Sequence, residues 1–533
     1  MTPQGPRTDG GVTDEAVRPA PAAAAEEGGV DIIDPLKMAA AATAPAELSA
    51  RPVLLLTAGR TIALAVTFAT PVVLARIFNL PEFGTYKQLM LVYSTLAVIA
   101  QLGMADSLLY FLPYAPRRGG SYVMNALLVL VASGLMCAGL FVVAGPRLSR
   151  WLGNAALSGL TGLVGAWLLV TLPSAVLEVV MTARKRYLGA GVTYALSDVL
   201  RAIALLAPAV AFRRLESLLA GAVVFGAVRL VGALVYVGRE FGGELRANGA
   251  ALREQIAYAL PFLLSVVFLM LLSNLHYYVV AASVSAATFA IYAVGCFQIP
   301  FVDLLLTPTQ NVMMVRMREA LTAGRPDAVL ATWHDATHKL ALFFLPIIGL
   351  LVVTARELIP FLFTVRYSAS IPIFMVWAVA HLPVVLATEG VLRAHADTRA
   401  LAVLYAIQLL LTAGLLLPLM SVFGLIGAVL ATGFAAGIGR TLGLFRTRRL
   451  MGVTLAQLLP WRGLGEAMGA AAVAGLVAAA AKVHLAAGPL LLLVATSCVY
   501  AATYVGILAA RRLLDPGTWQ TAGWRIRFGL RGQ

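Results

Sequence analysis

From residue 53 onward the chain is a succession of long apolar runs separated by short polar breaks. The runs fall at 53–77, 86–112, 121–145, 157–181, 187–212, 216–238, 256–281, 288–312, 333–355, 369–391, 400–420, 424–445, 464–484 and 487–510. Each approaches or exceeds the roughly 20 residues that carry a helix across a bilayer. Hydrocarbon offers the backbone no hydrogen-bond partner, so segments of this length are expected to be helices. The pattern predicts an all-α polytopic membrane protein with about fourteen transmembrane helices. Residues 1–50 break it: rich in Pro, Ala, Gly and acid, they lack both a core-forming pattern and a signal-peptide layout, and are expected to be a disordered cytoplasmic tail.

Composition agrees with a membrane reading. The 533 residues are 60% hydrophobic and 12% charged, against about 45–50% and about 25% in soluble domains. Residues 1–50 hold 8 of the 25 acids and 3 of the 40 bases, so the basic excess lies in the rest of the chain. Those bases stand in twos and threes in short loops, which argues against nucleic-acid binding and for topology. One alternate set of loops, with the C-terminal tail, carries 22 Lys and Arg, including Arg117, Arg118, Arg184, Lys185 and Arg186; the other carries 7. The positive-inside rule then puts the first set, and both termini, in the cytoplasm. Arg76 and Lys87 fall at span ends. Cys137, Cys296 and Cys498 lie in apolar runs without metal or disulfide spacing and read as packing residues.

A repeat at an offset of 206 sets FGTY (Phe83 to Tyr86) on FAIY (Phe289 to Tyr292), and LAGAV (Leu219 to Val223) on LIGAV (Leu425 to Val429). The same offset is read as carrying spans 1–6 onto spans 7–12 throughout. Six is an even number, so the repeat is parallel. The expected organisation is a six-helix lobe at 51–240, a second at 241–450, helices 13–14 at 451–512 and a cytoplasmic tail at 513–533.

Several stretches resemble those of bacterial polysaccharide (Wzx-type) flippases, of the multidrug/oligosaccharidyl-lipid/polysaccharide exporter superfamily. They are LARIFNLPEFGTYKQLMLVYSTLAVIAQLGMADSLLYFLP (Leu74 to Pro113), ARELIPFLFTVRYSASIPIFMVWAV (Ala355 to Val379), LRAHADTR (Leu392 to Arg399) and VFGLIGAVLATGFA (Val422 to Ala435). The resemblance implies a V-shaped, two-lobed transporter with a cationic central cavity that translocates lipid-linked oligosaccharides. One departure is visible: where many relatives carry an Asp-Arg pair near the end of the seventh span, this chain reads SNLHYYVV, with His276 and Tyr277. A role tied to that pair does not carry over.

Charged residues inside the spans are the candidate site. Arg60 lies about seven residues into span 1, roughly 10 Å deep, with Thr57, Thr61 and Thr67 on or near its face. It either faces a wet cavity or snorkels to the headgroups. Asp198 and Arg201 are three residues apart on one face of span 5: an internal ion pair, or one that opens when an anion takes the guanidinium. Arg229, deep in span 6 with no acid within one turn, needs a partner or water and is read as facing the cavity. Arg440 is expected to snorkel, and Glu178 and Glu389 to make surface ion pairs. Asp106 and Asp303 are plain paired or helix-terminal carboxylates, or else proton carriers; His276 is a packing histidine or a proton sensor. These three are the candidates for ion coupling. Prolines within the spans, Pro71, Pro113, Pro173, Pro261, Pro300 and Pro308, predict kinks or hinges.

Arg60, Arg201 and Arg229 make the first lobe cationic, and a guanidinium fork suits a pyrophosphate. The expected function is a flippase that moves an undecaprenyl-pyrophosphate-linked oligosaccharide outward across a bacterial inner membrane by alternating access. It would need no cofactor, and would draw on H+, Na+ or the membrane potential. The expected partners are the lipid-linked glycan, the bilayer, and a polysaccharide polymerase with its export machinery, as in lipopolysaccharide or exopolysaccharide synthesis. A cation-coupled multidrug exporter shares the fold, but favours unpaired carboxylates. A membrane polymerase or ligase needs an external catalytic loop, and no external loop here exceeds about 15 residues.

Overall fold

The computed structural model describes residues 65–297, 300–484 and 488–511. The N-terminal tail, Arg60 and the C-terminal tail lie outside the described residues. All regular structure in the described part is helical.

The first lobe holds α1 (Ala65–Ile77), α2 (Leu80–Ala100), α3 (Met104–Tyr114), α4 (Gly119–Trp151), α5 (Thr161–Ser174), α6 (Val176–Ala183), α7 (Tyr187–Phe212) and α8 (Leu215–Phe241). The second holds α9 (Gly249–Ser283), α10 (Ala286–Gly295), α11 (Pro300–Thr322), α12 (Pro326–Phe363), α13 (Ile371–Ala380), α14 (Thr388–Ala394), α15 (Thr398–Phe423) and α16 (Leu425–Met451). Helices α17 (Trp461–His484) and α18 (Pro489–Ala510) follow. Among the described residues, 12 helical segments are long and apolar enough to cross a membrane. Ala65–Ile77 and Ala286–Gly295 are shorter apolar helices, and they fall on the first and eighth of the fourteen expected spans.

Four expected spans are broken rather than continuous. In the second, Leu102 and Gly103 adopt left-handed backbone angles, φ 50° and 65°, between α2 and α3. The freed amides stay satisfied: Leu102 donates to the Ile99 carbonyl at 3.1 Å and Met104 to that of Gln101 at 2.9 Å, as a membrane interior requires. Pro173 stands at the α5–α6 break, beside Ser174 and Ala175.

The repeat is real in its architecture, but its offset drifts. Asn79 caps α2, accepting from the Glu82 amide while Glu82 reaches back to the Asn79 amide; Ser285 caps α10, 206 positions on. The 27-residue helices α8 and α16 begin at Leu215 and Leu425, which is 210 positions apart. The single offset expected for all six spans is therefore corrected: residues added within the second half shift the later helices by about one turn.

In that shifted register the lobes share a buried device. Arg229 of α8 meets Glu178 of α6 at 2.6 Å, and Arg440 of α16 meets Glu389 of α14 at 3.1 Å. Both residues of the second pair stand 211 positions after those of the first. These contacts correct three expectations. Glu178 is buried rather than at the surface. Arg440 does not snorkel but is held by Glu389 and the Leu386 carbonyl. Arg229 has its acid on the neighbouring helix, where a search along its own helix cannot see it.

The lobes touch where α2 and α10 begin. Gly84 lies so close to the Ala286 carbonyl that a Cβ there would overlap it. Arg76 donates to the carbonyls of Phe361 and Leu362. Phe68 meets Phe297 with centroids 5.1 Å apart, and Phe83 meets Tyr367 at 5.7 Å. At the opposite, arginine-rich end, α9 is tied to the first lobe through Tyr122 Oη to Glu254 at 2.7 Å and the reciprocal Asn125–Asn248 bonds. Helices α17 and α18 pack on α12, where Lys482 pairs with Glu357 at 2.6 Å and the Tyr504 hydroxyl donates to the Leu342 carbonyl.

Candidate functional site

Between the lobes lies a cavity of about 820 Å³, lined by residues of α1, α2, α5 and α7 from the first lobe and α9 and α10 from the second. That size suits a ligand of several rings. Its charged side chains are Lys87, Asp198 and Arg201, two cations against one carboxylate. Asp198 and Arg201 pair at 2.8 Å across one turn of α7. The Arg201 side chain keeps 46% of its exposure, so the guanidinium is neutralised on one side and open on the other.

Lys87 is the residue that the sequence reading placed at a span end. It sits seven residues into α2, about 10 Å along the helix, because the Asn79–Glu82 capping box starts the helix at Leu80. Its ammonium lies 5.5 Å from the centre of the Phe83 ring, and no carboxylate pairs with it among the described residues. The signal that finds it is the N-x-x-E cap followed by Pro81; the apolar-run scan starts this span only at residue 86.

Arg201 and Asp198 thus line the cavity, as the cationic-site reading requires. Arg229 does not: its guanidinium bonds Glu178 and, at 3.3 Å, the Ser174 hydroxyl. Asp106 is exposed in the first turn of α3, where a helix N-terminus favours a carboxylate. Asp303 falls on α11, with its side chain outside the described residues. His276 is 2% exposed, with Nδ1 2.7 Å from the Tyr292 hydroxyl and its ring against Tyr277 and Trp377. It stands behind the cavity wall that Tyr277 and Cys296 form. Cys137 and Cys296 are buried, but Cys498 is exposed on α18.

The rest of the lining mixes aromatic and polar side chains with aliphatic ones such as Met90, Leu91 and Leu205. Tyr86, Tyr93, Trp167 and Tyr277 supply rings; Thr67, Thr70, Ser94 and Asn274 supply polar atoms. Among the described residues no cluster of His, Cys, Asp and Glu could hold a metal ion.

Two helical lobes around a partly cationic cavity define a polytopic helical membrane protein. Residues 73–372, more than half the chain, match the family described as "Polysaccharide biosynthesis protein"; the chain belongs to that family. Its fold is similar to that of a lipid II flippase, MurJ, in an inward closed conformation, with TM-score 0.68 and 12% identity over 86% of this chain and 100% of that one. It is also similar to an inward-facing multidrug resistance MATE family transporter of the MOP superfamily, with TM-score 0.54 and 13% identity over 74% and 94% of the two chains. A MATE transporter of Vibrio cholerae gives 0.51 and 13% over 76% and 98%. At such identities the likeness concerns the fold alone. A search of curated proteins finds no match.

Proposed function

We propose that this protein is a flippase for a polyprenyl-pyrophosphate-linked oligosaccharide, carrying the repeat unit of a polysaccharide from the cytoplasmic to the periplasmic leaflet of a bacterial inner membrane. The observation that carries this reading is the cavity charge: Lys87 and Arg201 against Asp198, among aromatic and hydroxyl side chains. A fixed cation in a low-dielectric cavity attracts a phosphate far more than it does in water. An amphipathic lining suits sugars. Family membership supports a role in polysaccharide synthesis, and a two-lobed fold suits alternating access, with the polyprenyl tail left in the bilayer.

The Asp198–Arg201 pair acts as the built-in counter-ion in this scheme. It lowers the cost of holding a guanidinium in an empty cavity, and it yields when pyrophosphate arrives. Arg60 receives the headgroup at the cytoplasmic entrance, and both termini are cytoplasmic. The driving force is H+, Na+ or the membrane potential, with His276, which packs against Tyr277 of the cavity wall, as the coupling group. A cation exporter fits less well, because the cavity's carboxylate is already taken by Arg201 at 2.8 Å.

The test uses vesicles loaded with undecaprenyl-pyrophosphate bearing a short glycan. Purified protein should move the glycan headgroup to the opposite leaflet, where an added lectin or glycosidase detects it. Lys87→Ala and Arg201→Ala should each lose that activity at unchanged protein level. Normal translocation in both variants would defeat the cationic-cavity mechanism.

A further inference from the structure

Tyr93 and Trp167 both line the cavity and stack on each other, ring centroids 3.7 Å apart and planes 10° from parallel. Trp167, on α5, is 4% exposed and forms the backing. Tyr93, on α2, is half-buried, so the stack covers one face of its ring and leaves the other toward the cavity. The wall therefore presents a flat ring held rigidly from behind.

The position matters as much as the chemistry. Tyr93 follows Lys87 by six residues on α2, about 9 Å of helix rise, so one ligand can meet both. Tyr86, Met90 and Tyr93 recur at helical spacing along the cavity side of α2. A group that uses this surface must have an apolar face to lie on the tyrosine ring and polar edges for Ser94 and Asn274. A pyranose ring has both: axial C–H bonds on its face and hydroxyls round its rim. A polyprenyl chain has no polar rim for Ser94 and Asn274, and a phosphate has no face.

We infer that the Tyr93–Trp167 stack is a sugar-docking shelf, which holds a pyranose ring of the cargo while Lys87 and Arg201 hold its phosphates. This rests on the flippase reading and divides its cavity into two zones, one for charge and one for the ring. Stacking on an open tyrosine face tolerates many hexoses, so the shelf recognises that a sugar is present rather than which sugar it is.

The experiment compares two probes on the full-length protein in lipid nanodiscs: undecaprenyl pyrophosphate, and the same lipid carrying one N-acetylhexosamine. The wild type should bind the sugar-bearing probe about three- to tenfold more tightly, the size of one aromatic face contact. Tyr93→Ala should bring the two affinities together while leaving the bare lipid's affinity unchanged. Tyr93→Phe should keep the preference, because the face is retained and only the hydroxyl is lost. Should Tyr93→Ala not fold, Tyr93→Leu carries the same expectation, since it fills the space without a flat face. A preference that survives Tyr93→Ala or Tyr93→Leu overturns the shelf, as does a wild type that binds both probes equally. If neither probe binds the wild type at all, the flippase reading fails and the shelf fails with it.

Discussion

The two lobes share one framework and differ in what they place in the cavity. Each lobe ties its last helix to the short helix two spans earlier with a Glu–Arg pair, Glu178–Arg229 in the first and Glu389–Arg440 in the second. Each also places a tryptophan at the matching point, Trp167 and Trp377. The charges that face the cavity are not repeated. Lys87 corresponds to Ala293 at the 206 offset, and Asp198 and Arg201 correspond to Leu409 and Thr412 at the 211 offset. The matching tryptophan of the second lobe packs on His276 and His381 instead of a cavity tyrosine. On the proposed flippase reading, the framework kept twice serves rigidity and the cavity charge present once serves cargo. In that reading one lobe rocks against the other, and stiff lobes and a one-sided cationic wall are separate requirements.

The largest effect should come from breaking a framework pair. Leaving a buried charge without its partner costs about 3–5 kcal/mol. The Glu178 side chain is 6% exposed, whereas Glu389 is 22% exposed and also lies 3.8 Å from Arg393. Glu178→Gln should therefore lower thermal stability in detergent clearly more than Glu389→Gln. A larger loss at Glu389 would break the comparison. Replacing Glu178 and Arg229 together with leucines should recover much of the stability, because paired buried charges are often replaceable by apolar packing.

The sequence made the architecture legible, and the site less so. Apolar runs mark helices because hydrocarbon permits little else, so all fourteen expected spans have a helical counterpart among the described residues. The break at Pro173 falls on a proline that predicts a kink, whereas the break at Leu102 was missed because an apolar run keeps its hydropathy across a left-handed residue. The framework pairs were invisible for a different reason. All four residues stood out as charges within or near spans, but each pair joins different helices, and the single 206 offset sets Glu178 on Val384 and Arg229 on Ala435. Lys87 was placed at a span end because the apolar run begins only at residue 86, whereas the capping box at Asn79 starts the helix at Leu80.

Next in size is the cavity asymmetry. A charge-assisted hydrogen bond to a phosphate contributes about 1.5–3 kcal/mol, so Arg201→Ala should slow glycan-lipid translocation about ten- to a hundredfold. Its counterpart Thr412→Ala should be silent, since the Thr412 hydroxyl only returns to the Gln408 carbonyl within its own helix. Equal defects in both variants would mean that the lobes share the cargo evenly. Arg60→Ala should likewise block export, with lipid-linked precursor accumulating on the cytoplasmic side. Arg60→Lys should restore export in part, because ammonium keeps the charge and loses the fork. Normal export by Arg60→Ala at native expression would remove the entrance from the scheme.

The smallest expected effect lies at the arginine-rich end, where the lobes carry opposite signs at one position. Arg186 ends the loop before α7 and pairs with Glu240 of α8 at 2.9 Å. Its counterpart 211 residues on is Asp397, which opens α15 and pairs with Arg446 of α16 at 2.6 Å. The Asp397 carboxylate also accepts from the Ala400 amide as the helix cap. The hydrogen bond from Arg446 holds its pKa below the ordinary carboxylate range, aided by the Ala400 amide and by the charges of Arg446 and His395. A carboxyl lowered in the folded state stabilises that state above its unfolded pKa. The contribution is lost as pH falls through the lowered folded value. Acid should thus loosen the second lobe's latch. Arg446 is 42% exposed, so the effect is that of a surface pair, under about 1 kcal/mol. Asp397→Asn keeps a capping oxygen and discards the charge. Its melting temperature should fall slightly below wild type at pH 7, and the two curves should converge as pH drops below the carboxylate range. A gap that persists into acid would assign the stabilisation to the cap, and the sign reversal between the lobes would then carry no pH dependence.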